Sequence, residues 1–336
     1  MKKLLTLITV LTLSVGLVAC GNGASDSTDQ SATYQESNLN NYQDLASSNG
    51  QEYITVTHRS GVTEVPVNPQ RVAVFDMGML DTLDLLGIDI VGLPQGNVPS
   101  YLTHYTTSEY ENLGTLHEPN LELLVEEDLD LIIISGRARP HYDELSQIAP
   151  TIDLGGDNDN IMEVFRSNNL YLGQIFGKES EVEAILNDID QQINEIKEQV
   201  EELDKTGLIL LHNEGRLSAF GPGSRFGIIH DVLNVKPVDP NIEVVNHGHA
   251  ISNEYIVENN PDMIFVIDRS ASVTGGTETN KEDIENELVQ LTDAYANGNI
   301  FYLTSEIWYI SVGGLQGMQM QLNEISQAIE SASNNN

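Results

Sequence analysis

Apolar and polar residues alternate from Tyr53 to Thr57 and again from Val62 to Val67, on either side of Arg59-Ser60-Gly61. A period of two on both flanks of a glycine-containing turn predicts a β-hairpin. The pattern then changes to compact apolar runs, Arg71 to Asp76 and Ile88 to Leu93, read as strands, with helical spacing from Met79 to Leu86 between them. Leu121 to Glu127 predicts a further helix. Leu129 to Ile134, large apolar residues bounded by turn signals, predicts a further buried strand. Alternation of strand and helix predicts an α/β sheet, largely parallel after the opening hairpin.

Asn160 to Phe176 reads as one uninterrupted helix. Val182, Ile185, Ile189, Ile193, Ile196, Val200 and Leu203 then recur at three- and four-residue steps, which predicts a longer amphipathic helix. Strand and helix alternate again from Leu208 to Leu211, through Met263 to Ile267 and Ile300 to Leu303, and Gly313 to Ile329 predicts the closing helix. The coarse picture is two α/β units separated by helix.

An internal echo supports that picture. Pro119 to Arg137 and Ile251 to Arg269 align at a constant offset, pairing Glu122 with Glu254, Val125 with Val257, Glu126 with Glu258, Asp130 with Asp262 and Arg137 with Arg269. Two helix–strand units can share apolar positions by chance, whereas paired charges are a more demanding match. Each copy places an arginine just past the C-terminal end of a buried strand, the edge where open α/β sheets bind ligands.

The two ends alter the picture. Lys2 and Lys3 precede an apolar run, Leu4 to Val18, too short for a comfortable membrane span and laid out like a secretory signal. The following Leu17-Val18-Ala19-Cys20 resembles the lipobox of bacterial lipoproteins, in which the cysteine carries the lipid. Cys20 is the only cysteine in the chain and so has no internal disulfide to form. Gly21 to Gly50 is rich in Ser, Asn, Gly, Asp, Thr and Gln and reads as a flexible tether.

Charge narrows the function. The chain carries 51 acidic and 15 basic residues, a net charge of −36, which argues against nucleic acid and against anionic lipid held by charge. An anionic ligand stays possible where the cations are concentrated, and only eight of them are arginines. One of these, Arg225, sits in Ser218-Ala-Phe-Gly-Pro-Gly-Ser-Arg-Phe-Gly-Ile-Ile-His-Asp231, after a Gly221-Pro222-Gly223 turn and ahead of an apolar helix expected over Phe226 to Leu233. Backbone N–H groups and a guanidinium at one helix start would suit an anion, and a purely structural turn is the other reading. His247-Gly248-His249 reads either as metal ligands or as a solvated loop. Trp308-Tyr309, just after the last strand, reads as packing unless other groups converge on it.

Together these blocks resemble the class III periplasmic-type binding proteins of siderophore and cobalamin ABC importers, and within them the catecholate-siderophore binders of the enterobactin- and petrobactin-binding branch. The likeness runs from Tyr53 to about Ile329. It is carried by IIISGR ending at Arg137, GPGSRFGIIHD around Arg225, NHG at His247, FVIDR at Arg269 and the aromatic pair Trp308-Tyr309. It implies an α/β fold of two Rossmann-like lobes joined by a single long α-helix. The organisation expected is a signal peptide over 1–19, a lipid-anchored flexible linker over 20–52, an N-terminal α/β lobe over 53–156, a connecting helix over 157–178, a C-terminal α/β lobe over 179–331 and a disordered tail over 332–336.

The resemblance further implies that Arg137, Arg225 and Arg269 form a cationic floor, that Trp308 lines the site, and that His247 and Tyr309 donate to iron where the siderophore leaves coordination sites open. Glu122 and Glu254 would dock on two permease subunits served by a cytoplasmic ATPase. Relatives commonly carry lysine after the His-Gly pair, where this chain has His249, so the outer rim is its own. The expected protein is an extracytoplasmic, lipid-anchored monomer that binds ferric siderophore, with no resident cofactor and no nucleic-acid partner. Ferric catecholates are anionic, and a guanidinium about 5 Å from a unit negative charge gains roughly 3 kcal/mol at an effective dielectric near 20, before desolvation.

Other classes fit less well. There is no GxxxxGK[ST] loop (Gly173 to Lys178 has the wrong spacing), no GxSxG elbow and no HExxH helix, so the chain does not read as an enzyme. A binder of free zinc or manganese has no use for three arginines. A haem- or cobalamin-binding protein of the same fold is the remaining alternative.

Overall fold

Residues 46–48, 51–156, 158, 160–274 and 281–335 are described by the computed structural model. The expected signal peptide, Cys20 and most of the expected tether lie outside the described residues. The predicted hairpin is present as β2 (Gln51–His58) and β3 (Gly61–Pro66), paired antiparallel, with Val56 and Val65 fully buried on its inner face. It gains a third strand, β1 (Ala46–Ser48), on β2. That strand lies inside the stretch read as tether, so ordered chain begins earlier than composition suggests.

A second sheet is built from β4 (Val72–Val74), β5 (Gly92–Leu93), β6 (Glu111–Asn112), β7 (Leu131–Ile134) and β8 (Thr151–Asp153). Its order is β6-β5-β4-β7-β8, with every pairing parallel. Leu131 and Ile133 enter one apolar cluster and Ile132 and Ile134 another. Burial on both faces is why this strand reads as an unbroken apolar run. The run from Ile88 shortens to Gly92–Leu93, and the one from Arg71 stops before Asp76, whose carboxylate caps the helix Met77–Leu85 through Met79 N–H at 2.8 Å.

The third sheet departs from the expected parallel arrangement. It comprises β9 (Thr206–Asn213), β10 (Arg216–Phe220), β11 (Lys236–Pro237), β12 (His249–Ile251), β13 (Met263–Asp268) and β14 (Ile300–Tyr302). The order is β12-β10-β9-β13-β14, with β11 also on β9. β9, β13 and β14 run parallel, but β10 and β12 are antiparallel. The cause is a two-residue hairpin at Glu214 and Gly215, both with positive φ, which turns the chain straight back on itself.

The internal echo is physical as well as textual. Asp130 accepts the backbone N–H groups of Gln70 and Arg71 at 2.8 and 2.9 Å, ahead of β4. Its counterpart Asp262 accepts the N–H and hydroxyl of Thr206 at 2.8 and 2.7 Å, at the start of β9. Asp128 and Asn260, which also match, both take left-handed backbone after their helices. Each half thus uses the matching aspartate to fix the backbone where the neighbouring parallel strand begins.

Between the halves runs the helix Ile161–Ile175, followed by Glu179–Leu203. Phe165 packs in the cluster around β9 and β13, while Leu172 and Ile175 pack in the cluster around β4 and β7. A polar junction lies beside it. The closing helix Leu315–Asn334 starts at Gly314, which has no side chain to cap it. Its first N–H groups are taken from the other half: Leu315 donates to Thr82 Oγ1 at 3.0 Å, and Gln316 and Gly317 donate to the Asp81 carboxylate at 2.9 Å each. Tyr101 Oη donates to Asp81 at 2.7 Å, and Asn169 of the intervening helix accepts from Thr82 at 2.6 Å and donates to Gly313 O at 3.1 Å.

The closing helix also corrects the expected disordered tail. It continues to Asn334, with Ala332 buried and its carbonyl accepting from Lys205 Nζ at 2.9 Å, because the apolar period persists past Ser331.

Candidate ligand-binding site

Four elements deliver one group of side chains. Arg137 follows β7 in a turn held by Ser135, whose carbonyl accepts Ala138 and Arg139 N–H and whose hydroxyl donates to buried Asp76 at 2.5 Å. Arg269 is the residue after β13. Arg225 leaves the Gly221-Pro222-Gly223 turn, where Gly223 has φ of 72°. Tyr309 ends the short helix Ser305–Tyr309 after β14. Three of these positions are C-terminal strand edges of parallel strands, so the two halves present them to one place.

Tyr309 is the common partner. Arg137 donates to its backbone carbonyl at 2.9 Å and Arg225 donates to the same oxygen at 3.4 Å. Arg269 Nε donates to its hydroxyl at 2.9 Å. The guanidinium of Arg225 lies 4.4 Å from the centre of the Tyr309 ring and 4.9 Å from that of Phe226. Burial lowers the pKa of Arg225, and the neighbouring charges of Arg137 and Arg269 push in the same direction.

The three cations differ from most of the other arginines in what balances them; of the remaining five only Arg59, which donates to the Gly156 carbonyl at 2.9 Å, also lacks an ion pair among the described residues. Arg71, Arg139, Arg166 and Arg216 pair with Glu127, Asp153, Asp190 and Glu214 respectively. Among the described residues, none of Arg137, Arg225 and Arg269 has a carboxylate ion-pair partner. In a chain of net charge −36 this gathers positive charge at one site, where buried Asp76 feels the charge of Arg137 without forming an ion pair with it. Forked guanidinium donors at partly buried positions suit a compact, oxygen-rich anion.

The apolar helix expected over Phe226 to Leu233 is shorter and of a different kind. The segment forms a five-residue π-helix, Ile228–Val232. Gly223 N–H is moreover occupied by the Asp231 carboxylate at 2.7 Å, so the backbone there is spent on holding the turn. The cationic donor at this point is the Arg225 side chain.

Other predicted residues are placed differently. His247 is exposed on a turn closed by Gly248 N–H to Val245 O at 3.0 Å. Gly248 has φ of 80°, and an added Cβ would meet the Phe220 ring at 2.4 Å, so glycine alone fits beneath His247. Among the described residues, His247 makes no hydrogen bond or ring contact with the arginine–tyrosine group. Trp308 is not brought into the group either. It is 1 % exposed in the apolar cluster and donates its indole N–H to Glu324 at 2.7 Å. The reason is helical geometry: adjacent residues point about 100° apart, so Tyr309 and Trp308 face different surroundings. Glu122 and Glu254 are exposed in the first turns of Leu121–Glu126 and Asn253–Asn259. Among the described residues no group of three or more His, Cys, Asp or Glu is placed to hold a metal ion.

Sequence reasoning missed Phe226, which packs against Arg225, and Asn213, which accepts from Arg269 Nη1 at 3.0 Å. The Glu214-Gly215 turn signal would have placed Asn213 at a strand end, though not opposite Arg269.

Cations gathered from both α/β units at strand ends fit a binding site, and likeness to known proteins gives its class: an extracytoplasmic solute-binding protein of a transporter, not an enzyme. The chain belongs to the periplasmic binding protein family, which it matches over residues 72–307. It is 42 % identical over 334 residues to the petrobactin-binding protein YclQ of Bacillus subtilis, covering 98 % of this chain and 100 % of that one. The crystal structure of YclQ superposes with a TM-score of 0.80 at 45 % identity, covering 83 % of this chain and 99 % of that one. VctP, the periplasmic catecholate-siderophore binding protein of Vibrio cholerae, gives a TM-score of 0.79 at 34 % identity, over 82 % of this chain and 100 % of that one. BauB, solved with a complex of two acinetobactin molecules and ferric iron, gives 0.77 at 31 % identity, over 83 % and 99 %.

Proposed function

We propose that this protein captures an anionic ferric siderophore of the catecholate type outside the cytoplasm and delivers it to an ABC permease. The observation that carries the reading is the convergence of Arg137, Arg225 and Arg269, each without a carboxylate ion-pair partner among the described residues, on Tyr309. Likeness to proteins described as petrobactin-binding and catecholate-siderophore-binding supports the ligand class. Within this reading His247 and Tyr309 supply donors to iron left with open positions; a hard ferric ion accepts phenolate oxygen and tolerates imidazole. Cys20 carries a lipid anchor, Glu122 and Glu254 meet the two permease subunits, and the protein acts as a monomer without a resident cofactor.

Titration followed through Trp308 fluorescence tests this. The ferric complex of a hexadentate tris-catecholate quenches the emission saturably, and the iron-free ligand and haem do not. Saturable binding of haem with none of the ferric catecholate would overturn the reading.

A further inference from the structure

Arg269 is clamped from two sides. Its Nε–H goes to Tyr309 Oη at 2.9 Å and its Nη1 to Asn213 Oδ1 at 3.0 Å, committing two of the five guanidinium donors. Asn213 is itself fixed. It closes β9 opposite Arg216, one residue beyond the register pair His212 and Asp268 that joins β9 to β13. The turn after it is tied down by Glu214 N–H to Ser270 Oγ at 2.8 Å and Gly215 N–H to His212 Nε2 at 3.0 Å. The Asn213 amide therefore reaches Arg269 from rigid backbone.

The chemistry of that partner matters. A carboxylate at the same place would orient the guanidinium equally well but cancel its charge. An amide oxygen orients it and leaves the full positive charge for a ligand. Acidic side chains greatly outnumber basic ones in this chain, and the other arginines with side-chain partners mostly face carboxylates, so a neutral acceptor here sets Arg269 apart.

We infer that Asn213 is a positioning residue that fixes Arg269 beside Tyr309 without neutralising it, and so tunes the site for anionic ligands. This rests on the proposed binding of ferric catecholates. Two substitutions separate orientation from charge. Asn213→Asp keeps the shape and cancels the charge; Asn213→Ala keeps the charge and releases the guanidinium.

The probe is the ferric complex of a hexadentate tris-catecholate, titrated at several salt concentrations by Trp308 quenching. Asn213→Asp should weaken binding by about tenfold or more and flatten its salt dependence, as expected for loss of one partly buried charge. Asn213→Ala should weaken it less and keep the wild-type salt slope. Equal losses with unchanged slopes, or wild-type binding by Asn213→Asp, overturn the inference. A second measurement needs no ligand: side-chain relaxation of the Arg269 Nε–H by NMR should show lower order in Asn213→Ala and wild-type order in Asn213→Asp. If order is unchanged in Asn213→Ala, Asn213 does not position Arg269. If the order falls as expected but the wild-type protein ignores the ferric probe, the clamp stands and the ligand assignment fails.

Discussion

Arg269 donates its Nε–H to the hydroxyl of Tyr309 at 2.9 Å, binding a residue after β13 to one at the end of a helix that follows β14. Because Arg137, from the other half, donates to the carbonyl of that same tyrosine, Tyr309 links cations contributed by both α/β units.

The first prediction follows from the absence of carboxylate partners of Arg137, Arg225 and Arg269 among the described residues. Replacing Arg137, Arg225 or Arg269 with Gln should weaken every ferric catecholate by about tenfold or more and lower the salt sensitivity of binding. Arg225→Gln should not lower the thermal midpoint of the ligand-free protein, since it removes a desolvated cation crowded by two others. Affinity retained in all three variants, or salt slopes that do not change, would refute the charge-based site.

His247 and Tyr309 should behave differently from the arginines. A hexadentate siderophore fills all six positions on Fe(III), whereas a tetradentate one leaves two. His247→Ala and Tyr309→Phe should therefore weaken tetradentate complexes far more than hexadentate ones, and Tyr309→Phe should remove a tyrosinate-to-iron band from the visible spectrum. Gly248→Ala should mimic His247→Ala, because a Cβ there collides with Phe220 and displaces the turn. Equal losses for both ligand classes would mean that the two residues only line the pocket.

What could be read from the chain beforehand follows the length and period of each element. Helices Ile161–Ile175 and Glu179–Leu203 and strands β7 and β13 were legible because their apolar spacing persists over several residues. The β9–β10 hairpin was missed although Glu214-Gly215 marks a turn and Arg216–Ala219 alternates, because the alternation is only four residues long and runs into the glycine turn before Arg225. The arginines could be placed from their position after buried strands, a backbone property. Trp308 could not, since its direction depends on rotation about a five-residue helix, nor could Asn213, whose role comes from a contact across the sheet between residues 56 apart.

Glu122 and Glu254 give a third prediction. They occupy matching first-turn positions on exposed helices of the two halves, and hydrogen bonding to Ser252 and to its own backbone lowers the pKa of Glu254. Reversing both to Lys should abolish siderophore-dependent iron uptake in cells while leaving affinity in solution within about twofold, since surface substitutions away from a site usually cost little. A large loss of affinity would place these glutamates in the ligand site instead.

The junction under the closing helix supplies the last prediction. Burial raises the pKa of Asp81 from 3.8 to about 7, overcoming the opposing pull of Tyr101 and the N–H groups of Gln316 and Gly317. Between those values the folded protein holds a proton that the unfolded chain has lost. The contribution of Asp81 to stability is thus fully present below about pH 4 and is lost as the pH rises through about 7, a change of a few kcal/mol. Asp81→Asn removes the titration, but its Nδ2 cannot accept a backbone N–H, so one of the two helix-capping bonds is lost at a cost of about 1–3 kcal/mol. The variant should therefore be less stable than wild type near pH 4.5, and the gap should close or reverse by pH 7.5. Urea midpoints of both proteins across this range measure the difference directly and cancel the titration of the many other carboxylates. Parallel pH profiles would show that Asp81 does not hold a proton in the folded junction. The same contacts tie Met77–Leu85, Ile161–Ile175 and Leu315–Asn334 together, so free and ligand-bound scattering profiles should differ only modestly.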